Sequence, residues 1–243
     1  MRGRPASGFT LVEVMVALFI MSLLALLGWR ALDGMARVQS RVFGHSDQTL
    51  ALQASLGQWN ADLDALQETQ IVNALDFDGR TLRITRHASA PDTAALVVVA
   101  WTIKPGADGP VLARWSSAPF TTVTQLRQAW QRAADWAQSS SLGAKATPQG
   151  QAAALLPASD LQLLYYRNNA WSNPLSSADS AAEAEADGTA DEVTDSTDST
   201  DPTLLALPDG VRLTLTLTGG ANGHALAGTL VRDWVRMTVG ARS

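Results

Sequence analysis

The sequence predicts an α+β protein in which a long N-terminal helix, its first part within a membrane, packs on an antiparallel β-sheet. From residue 9 to residue 72, apolar side chains recur at mostly helical spacing and no proline interrupts them. Further along, short runs of alternating apolar and polar residues are separated by turn-forming residues, as in antiparallel strands with one buried face. With 243 residues and 46% apolar content, the chain is large enough to bury a core.

The first part of the predicted helix is apolar and long enough to cross a membrane. Between Val14 and Gly28 the only polar side chain is Ser22. The stretch 9–29 matches the ~20 helical residues that a hydrocarbon core of ~30 Å requires. Arg2 and Arg4 precede it, which favours a cytoplasmic N-terminus and places most of the chain outside the cytoplasm.

An ordinary secretory signal peptide also begins with basic residues and an apolar segment. Two features argue against it here. No small-x-small cleavage site closes the run, because Leu27 is followed by Gly28, Trp29 and Arg30 and the helical pattern continues. Glu13 lies near the start of the apolar stretch, where a carboxylate without a partner is costly and therefore indicates a function.

The segment from Gly8 to Val14 reads Gly-Phe-Thr-Leu-Val-Glu-Val and resembles the N-terminal signal of type IV pilins and type II secretion pseudopilins. The resemblance implies a pilin-like fold and processing by a prepilin peptidase, which cuts between Gly8 and Phe9 and methylates Phe9. It also implies that Glu13 pairs with the N-terminal amine of a neighbouring subunit during assembly. The alternative is that Glu13 stays at the level of the lipid headgroups.

On this interpretation the chain has four parts. Residues 1–8 are a leader peptide, and residues 9–29 are the transmembrane and assembly helix. Residues 30–72 continue that helix, one apolar face of which would pack on the domain. Residues 73–243 form a periplasmic α+β domain, and the protein is expected in the bacterial inner membrane with a single span.

The domain is predicted to contain six strands and one amphipathic helix. The strands are Thr81–Arg86, Ala95–Ile103, Val111–Trp115, Leu161–Arg167, Val211–Thr218 and Ala227–Met237. The helix covers Thr121–Gln138, and its Leu126, Trp130, Ala133 and Trp136 are expected in the core. Asp76–Gly79 is predicted as a turn rather than a calcium loop, since the other ligands of such a loop are missing. The glycine-rich segment Gly219–Gly223 is predicted to turn between the last two strands.

An acidic insertion at 176–202 is predicted to be a disordered loop of the domain. It is rich in Ser, Thr, Ala, Asp and Glu and has little apolar surface to bury. It holds nine of the 23 acidic residues, so the rest of the chain has 14 acidic against 18 basic residues despite a net charge of -5. That weak and scattered basic excess argues against nucleic-acid binding.

Nothing in the sequence indicates an enzyme, and no catalytic residue, metal ligand, cofactor or small-molecule substrate is predicted. The three histidines, His45, His87 and His224, do not have metal-ligand spacing. No nucleophile elbow or dinucleotide fingerprint occurs. Distant residues brought together by folding leave catalysis as a weaker alternative. A membrane-tethered sensor or chaperone is a third alternative, but it would not need the Gly8–Phe9 junction or Glu13.

Two further segments resemble the J-type minor pseudopilin of type II secretion. One is Leu56–Leu66, which contains Trp59, Asp62 and Leu63, and the other leads from Leu207–Leu213 into Leu230–Met237. The resemblance implies the I- and K-type minor pseudopilins and the major pseudopilin as partners, at the tip of a periplasmic fibre that promotes export of folded proteins. The alternative is a minor pilin of a type IV pilus, although the chain lacks the cysteines of the C-terminal disulfide common in those proteins.

Overall fold

The computed structural model describes residues 8, 10–89, 94–140, 150–176, 206–219 and 226–236. The chain divides into two compact units, Met1–Asp47 and Gln48–Ser243. In the first unit the described residues are almost entirely helical. Helix α1 (Leu11–Asp64) begins there and ends in the second unit, which also contains the sheet and a second helix.

Helix α1 ends at Asp64, so the predicted continuation to Val72 is wrong. The backbone after Asp64 pairs with a strand instead of continuing the helical ladder. The N–H of Gln67 donates to the carbonyl of Thr85 at 2.9 Å, and the N–H of His87 donates to the carbonyl of Ala65 at 2.9 Å. The residues just after Asp64 continue the apolar spacing of the helix in the sequence, but their backbone pairs with β2 instead of forming another helical turn.

One antiparallel sheet runs through the second unit, as the alternating pattern predicted. Its strands are β1 (Leu75–Phe77), β2 (Thr81–His87), β3 (Leu96–Gly106), β4 (Gly109–Ser117), β5 (Gly150–Arg167), β6 (Ala170–Ser172), β7 (Gly210–Leu217) and β8 (Gly228–Val235). The order is β1-β2-β3-β4-β5-β7-β8, and β6 pairs with the end of β5. All of these pairings are antiparallel.

The proposed turn at Asp76–Gly79 is too long. Asp76 and Phe77 belong to β1, and the Asp76 carboxylate forms an ion pair with Arg83 on β2. The turn itself is built by Asp78, whose carboxylate accepts from the N–H of Arg80 at 3.0 Å and of Thr81 at 2.7 Å. Gly79 supplies the positive φ of 88°. Both carboxylates thus have protein partners.

The first half of β5 was not predicted. Residues 150–160 contain four alanines, and Pro157 lacks a backbone donor, so local propensity disfavours a strand there. Pairing with β4 overrides this preference, and a register shift between Ala158 and Asp160 accompanies the change of partner from β4 to β7. Strand β6 was missed as well, because it is three residues long; Asn168 and Asn169 precede it with φ of 49° and 62°.

The two faces of the sheet are covered differently. The end of α1 packs on one face through Trp59 and Leu63, in a core with apolar side chains from β1 to β5, β7 and β8. Helix α2 (Val123–Gln138) covers the other face over β2, β3 and β4, where Leu126 and Trp136 are buried. The predicted helix and its core residues are confirmed, with Trp130 only partly buried.

Both ends of α2 are capped. The hydroxyl of Thr122 accepts from the N–H of Gln125 at 3.4 Å. At the other end, the ammonium of Lys104 donates to the carbonyls of Trp136 and Ser139 and lies 3.2 Å from the Ser139 hydroxyl. A cation at a helix C-terminus interacts favourably with the carbonyls of the last turn. Burial lowers the pKa of Lys104.

Most of the predicted acidic insertion, residues 177–202, lies outside the described residues, as do four residues of the predicted turn, 220–223. The strands on either side of that turn, β7 and β8, do pair as neighbours.

Candidate functional site

The candidate site is the start of α1 and the exposed apolar surface behind it. Thr10 caps the helix, because its hydroxyl and its carbonyl accept from the N–H of Glu13 at 3.4 and 3.1 Å. Glu13 therefore lies in the first turn, where unpaired backbone N–H groups favour a negative charge. Gly8 precedes this turn and is exposed, whereas Phe9 lies outside the described residues.

Glu13 is the only ionisable residue between Leu11 and Trp29. Its side chain is exposed and makes no hydrogen bond or ion pair with any residue that the structure describes. The next charges on the helix are Arg30 and Asp33, and Asp33 pairs with Arg37 one turn further on. The compensating charge that Glu13 would require in an apolar environment must come from outside this part of the chain.

The apolar side chains around Glu13 are also uncovered. Between Leu11 and Leu27, the large apolar side chains are 43–78% exposed. The segment Leu11–Gln39 meets the length and composition of a membrane-crossing helix. At about 1.5 Å per residue, its 29 residues rise roughly 44 Å, more than a hydrocarbon core of ~30 Å. This surface can be covered by lipid or by other apolar helices.

A second acidic group of the same helix has the opposite environment. Asp62 is fully buried at the other end of α1. Its carboxylate accepts from both Nε and Nη2 of Arg114 at 2.8 Å, from the Trp101 indole at 2.9 Å and from the Gln58 amide at 2.8 Å. The guanidinium of Arg86 lies 3.3 Å away. These contacts join the helix to β2, β3 and β4.

The Asp62 cluster holds two guanidinium groups against one carboxylate. Burial lowers the pKa of Arg86, and the neighbouring Arg114 lowers it further, while Asp62 raises it. The sequence contained a signal for this cluster, because an acidic residue between Trp59 and Leu63 interrupts an otherwise apolar helix face. The resemblance drew attention to Asp62, but its role as a buried counter-ion was not predicted.

Of the three histidines, the structure describes the side chain of His87 alone. His87 is exposed at the end of β2, the side chain of His45 is not described, and His224 lies outside the described residues. Within the described part of the chain, no group of three or more His, Asp or Glu side chains could hold a metal ion.

Comparison with known proteins identifies the N-terminal segment. Residues 3–29 match the family model described as the prokaryotic N-terminal methylation motif. This match confirms the motif recognised at Gly8–Val14, and it covers Gly8, Phe9 and Glu13. No curated protein matches the chain.

Among solved structures, the chain resembles one from the crystal structure of the GspK-GspI-GspJ complex of the enterotoxigenic Escherichia coli type 2 secretion system. The identity is 16%, the TM-score is 0.41, and the likeness covers 79% of this chain and 99% of the other. With this identity and TM-score, the likeness does not assign a family or a role to the chain.

Proposed function

We propose that the chain is a minor pseudopilin of a type II secretion system, of the J type, anchored in the bacterial inner membrane with its domain in the periplasm. One observation carries the proposal: the methylation motif at residues 3–29 includes the start of an apolar helix whose only charge before Trp29 is Glu13. The proposed role is structural rather than catalytic. The subunit would belong to the tip of a fibre that promotes export of folded proteins.

Processing is the first step of the proposed function. A prepilin peptidase would cut between Gly8 and Phe9 and methylate the new amine of Phe9. The apolar helix would remain attached to the domain after this cut, since α1 continues without interruption from Leu11 to Asp64. This continuity distinguishes the proposed processing from removal of a signal peptide, which would detach the anchor.

Assembly is the second step. The Phe9 amine of an adjacent subunit would supply the cation that Glu13 lacks among the described residues of its own chain. In hydrocarbon such a pair is weakly screened, and each charge is costly without the other. The I- and K-type minor pseudopilins and the major pseudopilin are the proposed neighbours, and the exposed apolar surface of Leu11–Leu27 would pack against their helices.

A minor pilin of a type IV pilus is the second candidate, because the N-terminal motif is common to both systems. The resemblance of Leu56–Leu66 and of Leu207–Leu213 to the J-type pseudopilin favours type II secretion. The absence of cysteines argues in the same direction.

Intact-mass analysis of the full-length protein from bacterial membranes tests the processing. We expect a chain that begins at Phe9 and carries one added methyl group. Gly8→Leu should leave the leader attached, and Gly28→Leu, a matched change far from the junction, should leave processing normal. A mature chain that begins at Met1, or near residue 28, would contradict the pilin-like assignment itself.

Deletion of the gene in its own bacterium tests the choice of system. Accumulation of secreted enzymes in the periplasm with intact surface pili would support type II secretion. Loss of pili with normal secretion would transfer the protein to the second candidate.

A further inference from the structure

The two edges of the sheet differ in length and in protection. Strand β1 forms one edge with three residues, and backbone pairing of Ala65–Gln67 with β2 extends that edge. Strand β8 forms the other edge with eight residues, and seven of them are exposed or half-buried. Long uncovered edge strands present unpaired backbone groups that accept another strand.

Hydrogen bonding to β7 fixes which residues of β8 have free backbone groups. Just beyond β8, the N–H of Arg236 donates to the carbonyl of Asp209 at 2.8 Å, which makes this a hydrogen-bonded pair. Such pairs alternate along an antiparallel ladder, so Trp234, Arg232 and Leu230 also direct their backbone groups to β7. The residues that direct N–H and C=O groups to the open edge are Thr229, Val231, Asp233 and Val235.

The same four residues place their side chains on the face opposite the core. Leu230 and Trp234 pack in the core, so the alternating residues lie on the other face. Val231 is 57% exposed and Val235 is 68% exposed. Between them, the Asp233 carboxylate is held by two hydrogen bonds of 2.7 Å from Arg212. On this face, an incoming strand would therefore meet two exposed valines and an aspartate that Arg212 already neutralises, with no unpaired charge among the described residues of β8.

On the face that carries the core, Arg232 is the unpaired charge among the described residues of β8. Arg232 is exposed and forms no ion pair with any residue that the structure describes. A residue opposite Arg232 on an added strand would lie on the same side of the sheet. A carboxylate at that position would complement the cation.

A second copy of this chain fits the edge poorly. A two-fold antiparallel pairing centred on Arg232 or on Asp233 places like charges directly opposite each other, which is destabilising. Residues directly opposite each other in an antiparallel ladder direct their backbone groups alike, so Arg232 cannot lie opposite Asp233 of a second copy. Strand β8 of a second copy therefore offers no carboxylate opposite Arg232.

We infer that β8 is a strand-addition site for an extended segment of a different protein. That segment has apolar or β-branched residues opposite Val231 and Val235 and a carboxylate opposite Arg232. Backbone hydrogen bonds to the four edge residues would give affinity, and the alternating side chains would give selectivity. This inference does not depend on the proposed role in secretion.

Amide hydrogen exchange of the full chain in detergent micelles tests the inference. The probe is the capped peptide Val-Thr-Thr-Glu-Val-Thr-Val, designed to pair antiparallel with Thr229–Val235. In the free protein, the amides of Val231 and Asp233 should exchange quickly, and those of Arg232 and Trp234 slowly. The peptide should slow exchange at Val231 and Asp233 by roughly tenfold or more.

Two matched controls distinguish strand addition from non-specific binding of the peptide to the protein. The first control is a peptide N-methylated at the residues whose N–H groups face β8, and it should give no protection from exchange. The protein itself is the same in this control, so its folding is not altered. Arg232→Glu should weaken binding by about two- to fivefold, and replacement of the peptide glutamate by lysine should restore it.

Three outcomes would overturn the inference. The first is no protection at millimolar peptide concentrations, and the second is equal protection by the N-methylated peptide. The third is slow exchange at Val231 and Asp233 without peptide, since the edge would then already be occupied by this chain or by a second copy.

Discussion

Two of the carboxylates on helix α1 lie in opposite environments. Glu13, near its start, is exposed among exposed apolar side chains and has no partner among the described residues. Asp62, near its end, is fully buried and accepts hydrogen bonds from Arg114, Trp101 and Gln58. Both residues interrupt an apolar pattern in the sequence, and only the structure separates them.

The difference shows how an acidic residue in an apolar helix can be interpreted. A carboxylate whose own chain supplies cations and donors stabilises the fold, because the cost of burial is offset internally. A carboxylate without such partners requires a charge from another molecule if it enters an apolar environment. Asp62 is therefore expected to affect folding, and Glu13 is expected to affect assembly.

The largest expected effect is that of Asp62→Asn. The substitution leaves the buried guanidinium group of Arg86 and the partly buried one of Arg114 without a counter-charge. We expect a loss of about 3–5 kcal/mol in the free energy of unfolding, measured by urea denaturation of the full chain in micelles. Asp33→Asn, which breaks an exposed pair with Arg37, is the control and should cost about 1 kcal/mol or less. Equal stability of the two variants would show that the buried cluster contributes no net stability.

Glu13→Ala should leave folding unchanged and impair assembly. If the neighbouring Phe9 amine is the partner of Glu13, its removal leaves that ammonium uncompensated in hydrocarbon, at a cost of about 3–5 kcal/mol. Membrane retention should be normal, because the variant has one polar group fewer in the span. Cysteine crosslinking reports contacts of the introduced cysteines alone, since the chain has no native cysteine.

The measurement compares membrane retention, crosslinking to the proposed partner subunits and secretion in the same cells. Asp33→Ala, a carboxylate removed farther along the same helix, is the control and should crosslink normally. Normal crosslinking and secretion by the Glu13→Ala protein would leave Glu13 as a residue at the headgroup boundary.

Lys104→Met compares the Asp62 cluster with a buried cation that has no carboxylate partner among the described residues. Lys104 is buried and its ammonium is satisfied by oxygens at the end of α2. Hydrogen bonds to a charged group contribute about 1.5–3 kcal/mol, so we expect a smaller loss than for Asp62→Asn. Urea denaturation under the same conditions measures it. If Lys104→Met is as destabilising as Asp62→Asn, net charge balance is not what distinguishes the Asp62 cluster.

Deletion of residues 176–202 should have the smallest effect. Loop-closure entropy changes slowly with length, and this composition offers little apolar surface to bury, so we expect a change of about 1 kcal/mol or less. The melting transition of the deleted chain should remain cooperative. Loss of cooperativity would show that the acidic insertion, unlike Glu13, has partners in its own domain.

Sequence reasoning predicted the features that depend on local pattern. The α+β class, the helix predicted at Thr121–Gln138 and the alternating strand β7 follow from periodicity and are confirmed, with the helix beginning at Val123. The N-terminal motif was recognisable because it is a contiguous segment. The processing junction at Gly8–Phe9 and the role of Glu13 stay predictions.

The missed features depend on contacts between distant residues. The end of α1 at Asp64 is set by pairing with Thr85 and His87 on β2. The first half of β5 is set by β4 in spite of its alanines and Pro157. The ion pairs of Asp62 join residues 24 and 52 positions apart, so no local pattern reveals them.

The position of the Asp62 cluster also has a mechanical consequence. Helix α1 enters the second unit at Gln48, and the cluster lies two residues before the helix ends at Asp64. A pull along the helix axis from its N-terminal side therefore loads the packing contacts of Leu52, Leu56, Trp59 and Leu63 together with the ion pairs, in shear. Contacts loaded in parallel must break together, whereas contacts peeled from one end break singly. The strongest polar contacts of the helix lie at the end farthest from the applied force.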